Sequence, residues 1–266
     1  MMINKVITLW MACIYTVITY PTYALEFSTP LQQGALVYGQ ANPTDIILYE
    51  GEKIPLTKTG QFIFGIPQDA DTITLALNNT EKTFDIRPVQ WREEVVDGLP
   101  PAKVILSPVD ERRVAQDNKL LRQSRATSTQ AFFPLRLTRP VLGARISGHF
   151  GSRRILNGIK TVGHSGTDYA LPAGTPVLAP ADGIVRLTHS DMFYSGKTVV
   201  VDHGFGVFSS YSHLQDILVK KGRKIKQGDA VGTIGMTGRA TGPHLHFVIL
   251  WNNVRVDPES VFAHTP

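Results

Sequence analysis

The sequence holds one cysteine in 266 residues, and no histidine precedes position 149. A single Cys excludes an intramolecular disulfide framework and a cysteine-based zinc ribbon. There is no His-Glu-x-x-His sequence, so a helix-borne glutamate base of that kind is absent. No apolar run reaches the roughly 20 residues of a membrane-spanning helix. Neither a basic helix nor a basic run interleaved with aromatics occurs, so no nucleic-acid partner is expected.

What is present describes a globular chain, with 42% apolar and 18% charged residues. The 23 glycines and 17 prolines supply many tight turns, which favours short strands over long helices. The length suits one large domain or two ordinary ones. Residues 1–24 read as a secretory signal peptide: Lys5 is the only early charge, an apolar core follows, and Ala24 is the expected cleavage point. Cleavage there would remove Cys13 and leave no stable membrane span, and it implies an exported, periplasmic or secreted protein.

Charge is unevenly spread. Residues 25–106 carry a net −5, whereas residues 107–266 carry +9. Short apolar stretches such as Ile46-Ile47-Leu48-Tyr49 and Gln61-Phe62-Ile63-Phe64, punctuated by Gly51, Gly60 and Asn78-Asn79, read as a small β-sandwich-like domain over 25–106. Residues 107–139 read as a helical linker. Ser107 is placed to cap a helix, Pro108 lies in its first turn and Asp110 and Glu111 near its positive end; the helix runs to about Arg125 and is mostly exposed. From 140 to 266 the pattern predicts an antiparallel all-β domain. Its basic run, Lys220 to Lys226, reads as a solvated hairpin. The fold class is therefore all-β with a connecting helix. The acidic N-terminal domain could also lie over the basic C-terminal one and cover it.

All eight histidines fall in the final 118 residues. In His244-Leu245-His246 a strand period of two puts both imidazoles on one face. His164 and Asp168 span a glycine-containing loop that enters a strand. Two imidazoles and a carboxylate suit zinc, which keeps a further position open for water in catalytic sites. His203 reads as the cap of a strand end, while His189 and His264 have no supporting neighbours.

These residues stand within a longer pattern. His164-x-x-x-Asp168, Tyr211-Ser212-His213-Leu214 and Gly242-Pro243-His244-Leu245-His246-Phe247 occur in order, with Ile146-Ser147-Gly148-His149-Phe150-Gly151-Ser152-Arg153 upstream. Over about residues 140–260 the chain resembles the lysostaphin-type (LytM-like) zinc endopeptidases. The resemblance implies one Zn2+ per chain held by His164, Asp168 and His246, with His213 and His244 as the catalytic pair. It implies hydrolysis of the stem peptides of bacterial peptidoglycan, and the exported Gram-negative branch points to D-alanyl–diaminopimelate cross-links. His149, Arg153 and Asn157 are candidate substrate contacts, the arginine because its planar fork suits carboxylates. Two other classes compete with this one. A non-catalytic wall-binding protein or hydrolase activator would lack ligands that this chain retains. A lipoyl or biotin carrier would need a lysine at a hairpin tip, in a motif that does not occur.

Overall fold

The computed structural model describes residues 25–98, 105–134, 136–160 and 163–263. The signal-peptide segment, Cys13 and His264 lie outside the described residues. No described helix is long and apolar enough to cross a membrane.

The N-terminal region consists of two small antiparallel sheets. One orders Glu26–Phe27, Leu36–Gln40 and Gln61–Gly65; the other orders Glu52–Ile54, Ile47–Tyr49, Thr72–Leu77 and Thr80–Asp85. Alternation sends Phe62, Phe64, Ile47 and Leu75 inward, all 0% exposed. Phe27 meets Phe62, Phe64 and Phe84 edge-on at ring separations of 5.5–6.4 Å. Each fully buried side chain of this size contributes about 1.5–3 kcal/mol, so the aromatic seam is what joins the two layers.

The helix expected after Ser107 is there. It spans Pro108–Ser124, and the Ser107 hydroxyl accepts the Asp110 N–H. None of its residues is fully buried. It is tied down at its edge, where Arg113 pairs with Asp191 at 2.6 Å and Asp117 accepts the Phe193 N–H at 2.7 Å. Leu121 reaches a small apolar patch of Val200, Phe208, Val248 and Leu250 on the sheet beneath.

That sheet is the centre of the C-terminal region. Its main path runs Lys224–Ile225, Gly183–Met192, Gly196–Gly204, Val207–Ile217, Leu245–Trp251, Thr167–Ala170 and Arg145–Gly148, antiparallel throughout. Val199, Val201, Tyr211, Leu245, Phe247 and Ile249 form its buried face. A short helix, Pro258–Ala263, follows the last strand, an element with no counterpart in the expected pattern.

The two regions are joined more closely than a linker-separated pair. Their buried residues form one continuous core. Tyr49 meets Trp251 edge-on at 5.3 Å, and Trp91 meets Phe150 at 5.5 Å. Strand Glu93–Val96 pairs in parallel with Arg153–Leu156, so a boundary at 106 falls after a strand that both regions share. Gly151 has a left-handed backbone (φ 72°), and a Cβ there would come within 2.5 Å of the Trp91 ring; this turn tolerates only glycine.

Asp257 lies at the same seam, its N–H bonded to the Gly34 carbonyl. Burial pushes its carboxyl up to about 6, and nearby Glu259 adds to the rise against opposing backbone hydrogen bonds. A carboxyl raised above its unfolded value near 3.9 holds extra protons in the folded state, so its contribution is intact below about pH 4 and lost as pH rises through about 6. Asp257→Asn, which keeps an oxygen for the Glu259 N–H, should therefore raise Tm by roughly 5–10 °C at pH 7.5 and change it little at pH 4. Thermal scans of both proteins at the two pH values check this.

Candidate metal centre and its neighbouring histidines

The site forms where two strands are in register. Thr167–Ala170 and Leu245–Trp251 pair so that Asp168 stands opposite His246, with Thr167 opposite Phe247 and Tyr169 opposite Leu245. Side chains alternate across a strand, so burying Thr167, Tyr169, Leu245 and Phe247 aims Asp168 and His246 at the other face. His164 arrives from the loop before the first of these strands. At Gly166, between them, a Cβ would fall 2.3 Å from the Phe247 carbonyl oxygen, so only glycine lets the loop lie this close.

The three side chains converge tightly. His246 Nδ1 lies 2.7 Å from Asp168 Oδ1 and 3.0 Å from His164 Nε2, and His164 Nε2 is 3.1 Å from Asp168 Oδ1. Among the described residues, these three form the group whose donor atoms are close enough to share an ion. His164 Nδ1 bonds the His149 carbonyl at 2.9 Å, which assigns its proton there and leaves Nε2 a lone pair. Ser165 Oγ lies 3.3 Å from His246 Nε2, so a proton on that nitrogen leaves Nδ1 as the ligating atom. Burial opposes the Asp168 charge, yet the adjoining imidazoles of His164 and His246 hold the carboxyl well below the ordinary range. Three electron-pair donors pointing at one another are stabilised by a shared cation, and the set of two imidazoles and one carboxylate suits a divalent transition metal. The residues present fit such an ion.

Two further imidazoles stand beside this cluster. The rings of His213 and His244 are 4.6 Å apart, His213 is 6.0 Å from His246, and His244 Nε2 is 3.9 Å from Asp168 Oδ1. His213 Nδ1 bonds the Thr237 carbonyl at 2.7 Å, and His244 Nδ1 bonds the Gly242 carbonyl at 2.8 Å. Both are thus fixed with Nε2 as the nitrogen left for chemistry. His213 itself has a left-handed backbone (φ 61°), a conformation that costs about 1–2 kcal/mol for a non-glycine residue. A 2.7 Å hydrogen bond from its N–H to the Ser195 carbonyl helps offset that strain. Burial, reinforced by His244 and His246, pushes its pKa down to about 3, so the ring is neutral at physiological pH.

All five residues expected at the site are therefore brought together. His149 adjoins them through its carbonyl. Arg153 and Asn157 lie on the small sheet shared with Glu93–Val96, Asn157 at the left-handed turn (φ 48°) of a hairpin. His203 is not a strand-end cap: it is fully buried, bonded to the Asp182 carbonyl and to Ser209 Oγ, with burial lowering its pKa. Ser195, Thr237 and Glu94 escaped the sequence reading. Each serves the site through a backbone carbonyl or a contact some 20 or more residues away in sequence, which no local spacing signals.

Residues 162–258 match the description peptidase family M23. The chain is 47% identical over 107 residues to the peptidoglycan DD-endopeptidase ShyA of Vibrio cholerae, covering 40% of this chain and 25% of ShyA. It is 40% identical over 129 residues to the DD-carboxypeptidase/endopeptidase Mpg of Neisseria meningitidis, covering 48% of this chain and 29% of Mpg. The chain thus matches about a quarter to a third of these relatives' lengths. A Pseudomonas aeruginosa crystal structure, described as a candidate M23 peptidase, superposes with a TM-score of 0.69 at 29% identity. That match covers 89% of this chain and 96% of the other, so the likeness extends through the N-terminal region.

Metal analysis after exhaustive dialysis should find one divalent ion per wild-type chain, and background levels in Asp168→Ala and His246→Ala.

Proposed function

We propose that this protein, whose residues 162–258 match peptidase family M23, is an exported zinc endopeptidase that hydrolyses the peptide cross-links of bacterial peptidoglycan, D-alanyl–diaminopimelate bonds in particular. The relatives named as peptidoglycan DD-endopeptidases support the substrate class. The single observation that carries the chemistry is the pair His213 and His244, each locked through Nδ1 and each presenting Nε2 beside the three-donor cluster.

His164 Nε2, Asp168 Oδ1 and His246 Nδ1 would hold the ion. When bound there, zinc polarises a carbonyl as a Lewis acid and lowers the pKa of water toward neutrality. His213, neutral because it is desolvated, orients a water through Nε2 and is ready to accept its proton. His213, once protonated, passes that proton to the departing amine, while His244, less buried and opposite it, hydrogen-bonds the charge developing on the scissile carbonyl oxygen when its Nε2 carries a proton. Both rings keep their orientation throughout because their Nδ1 partners are main-chain carbonyls, which do not titrate.

The N-terminal region supports a role at the rim of the site. Trp91 packs on Phe150, and Gln68 crowds Gly163, next to the ligand His164. In this reading it flanks the cleft on the His149 side and limits which substrates enter; covering of the cleft is the stronger form of the same proposal. The signal-like residues 1–24 support a periplasmic location.

Incubating cross-linked muropeptide dimers with the protein and weighing the products by mass spectrometry tests the reaction. The wild type should yield monomers, with one water added per bond cleaved. His213→Ala should retain its metal and lose about 10²–10⁴-fold in turnover. Dimers left intact by metal-loaded wild type, or full turnover by His213→Ala, would contradict the proposal.

A further inference from the structure

The carboxylate of Glu94 lies on strand Glu93–Val96, before the helix and far from the M23 segment in sequence. Parallel pairing with Arg153–Leu156 sets Glu94 opposite Arg154 and turns its side chain toward the loop 149–152. There a single oxygen, Oε1, gathers three contacts. It accepts the His149 N–H at 2.9 Å, lies 2.9 Å from the Ser152 hydroxyl and lies 3.2 Å from His149 Nδ1. The Glu94 side chain is 17% exposed and Ser152 is fully buried, so water competes little for these bonds.

The same loop grips His164 at three points. The His149 carbonyl bonds His164 Nδ1 at 2.9 Å, the Gly151 N–H donates to the His164 carbonyl at 2.9 Å, and the His164 N–H donates to the Ser152 carbonyl at 2.8 Å. The Ser152 hydroxyl also lies 2.8 Å from the His149 carbonyl oxygen, so its one proton is shared between that carbonyl and Glu94 as alternative acceptors. A continuous set of hydrogen bonds therefore runs from Glu94 through His149 and Ser152 to the imidazole whose Nε2 faces Asp168 and His246.

We propose that Glu94 is a positioning residue for the metal centre: it fixes the His149 carbonyl so that His164 presents Nε2, and thereby makes the N-terminal region part of the metal-binding apparatus. The inference rests on the zinc reading above and deepens it. A partner that orients a ligating histidine typically changes metal affinity by 10–100-fold when removed. The strand carrying Glu94 is held by its own pairing with Arg153–Leu156, so the contact can be deleted while that pairing stays.

Zinc dissociation from the full chain, followed by chelator competition with a colorimetric dye, separates the alternatives. Glu94→Ala should weaken zinc retention about tenfold or more, and Glu94→Gln, which keeps an oxygen for the His149 N–H and the Ser152 hydroxyl, should restore most of it. Glu93→Ala removes the same charge one residue away at an exposed position and should retain zinc as wild type does. If Glu94→Ala loses its fold by circular dichroism, Ser152→Ala reads the same coupling, with faster zinc loss expected. Wild-type retention in whichever of these two variants folds overturns the positioning role. Wild-type protein that takes up no zinc would instead defeat the underlying reading of the site, before any variant is compared.

Discussion

The pairing of Asp168 with His246 across two antiparallel strands is the constraint on which the rest of the structure depends. Their side chains share one face because both strands bury the residues on either side of them, and their atoms end 2.7 Å apart. A slip of one residue in either strand would send Asp168 or His246 into the apolar core and bring Tyr169 or Phe247 out. The sheet core and the metal centre are thus two faces of a single decision about register. The packing of Leu245, Phe247 and Tyr169, each 2% exposed or less, supplies the free energy that holds a carboxylate and two imidazoles in contact.

Around that pair, the remaining groups are oriented by main-chain atoms. His164 is set by the His149 carbonyl, His213 by Thr237 and His244 by Gly242. Carbonyl partners fix which ring nitrogen carries the proton without adding a charge that would titrate. The arrangement leaves three donors for an ion and two imidazole nitrogens beside it. It also explains why a strained backbone is kept at His213, where a left-handed residue turns the ring toward its partner.

Much of this was legible in the sequence because it is local. The period of two in His244-Leu245-His246, the spacing from His164 to Asp168 and the Ser107 cap all act within a few residues, and the structure follows each of them. What the sequence did not disclose is long-range. The parallel pairing of Glu93–Val96 with Arg153–Leu156 joins segments some 60 residues apart and carries no motif of its own. His203 looked like a turn residue beside Gly204, yet Ser209 and the Asp182 carbonyl satisfy both its nitrogens inside the core. Asn157, expected as a substrate contact, sits where a hairpin turn needs a residue that tolerates positive φ. The charge contrast between the two regions suggested an electrostatic association, whereas the seam is mainly aromatic packing and backbone pairing.

One ion held by two imidazoles and a carboxylate is the central requirement of the proposed chemistry. X-ray absorption at the zinc edge of the purified, metal-loaded protein reports that shell directly. It should show about four light-atom neighbours at roughly 2.0–2.1 Å, imidazole outer-shell scattering from two rings and no sulfur. A six-oxygen shell without imidazole, or the same spectrum from Asp168→Ala, would contradict it.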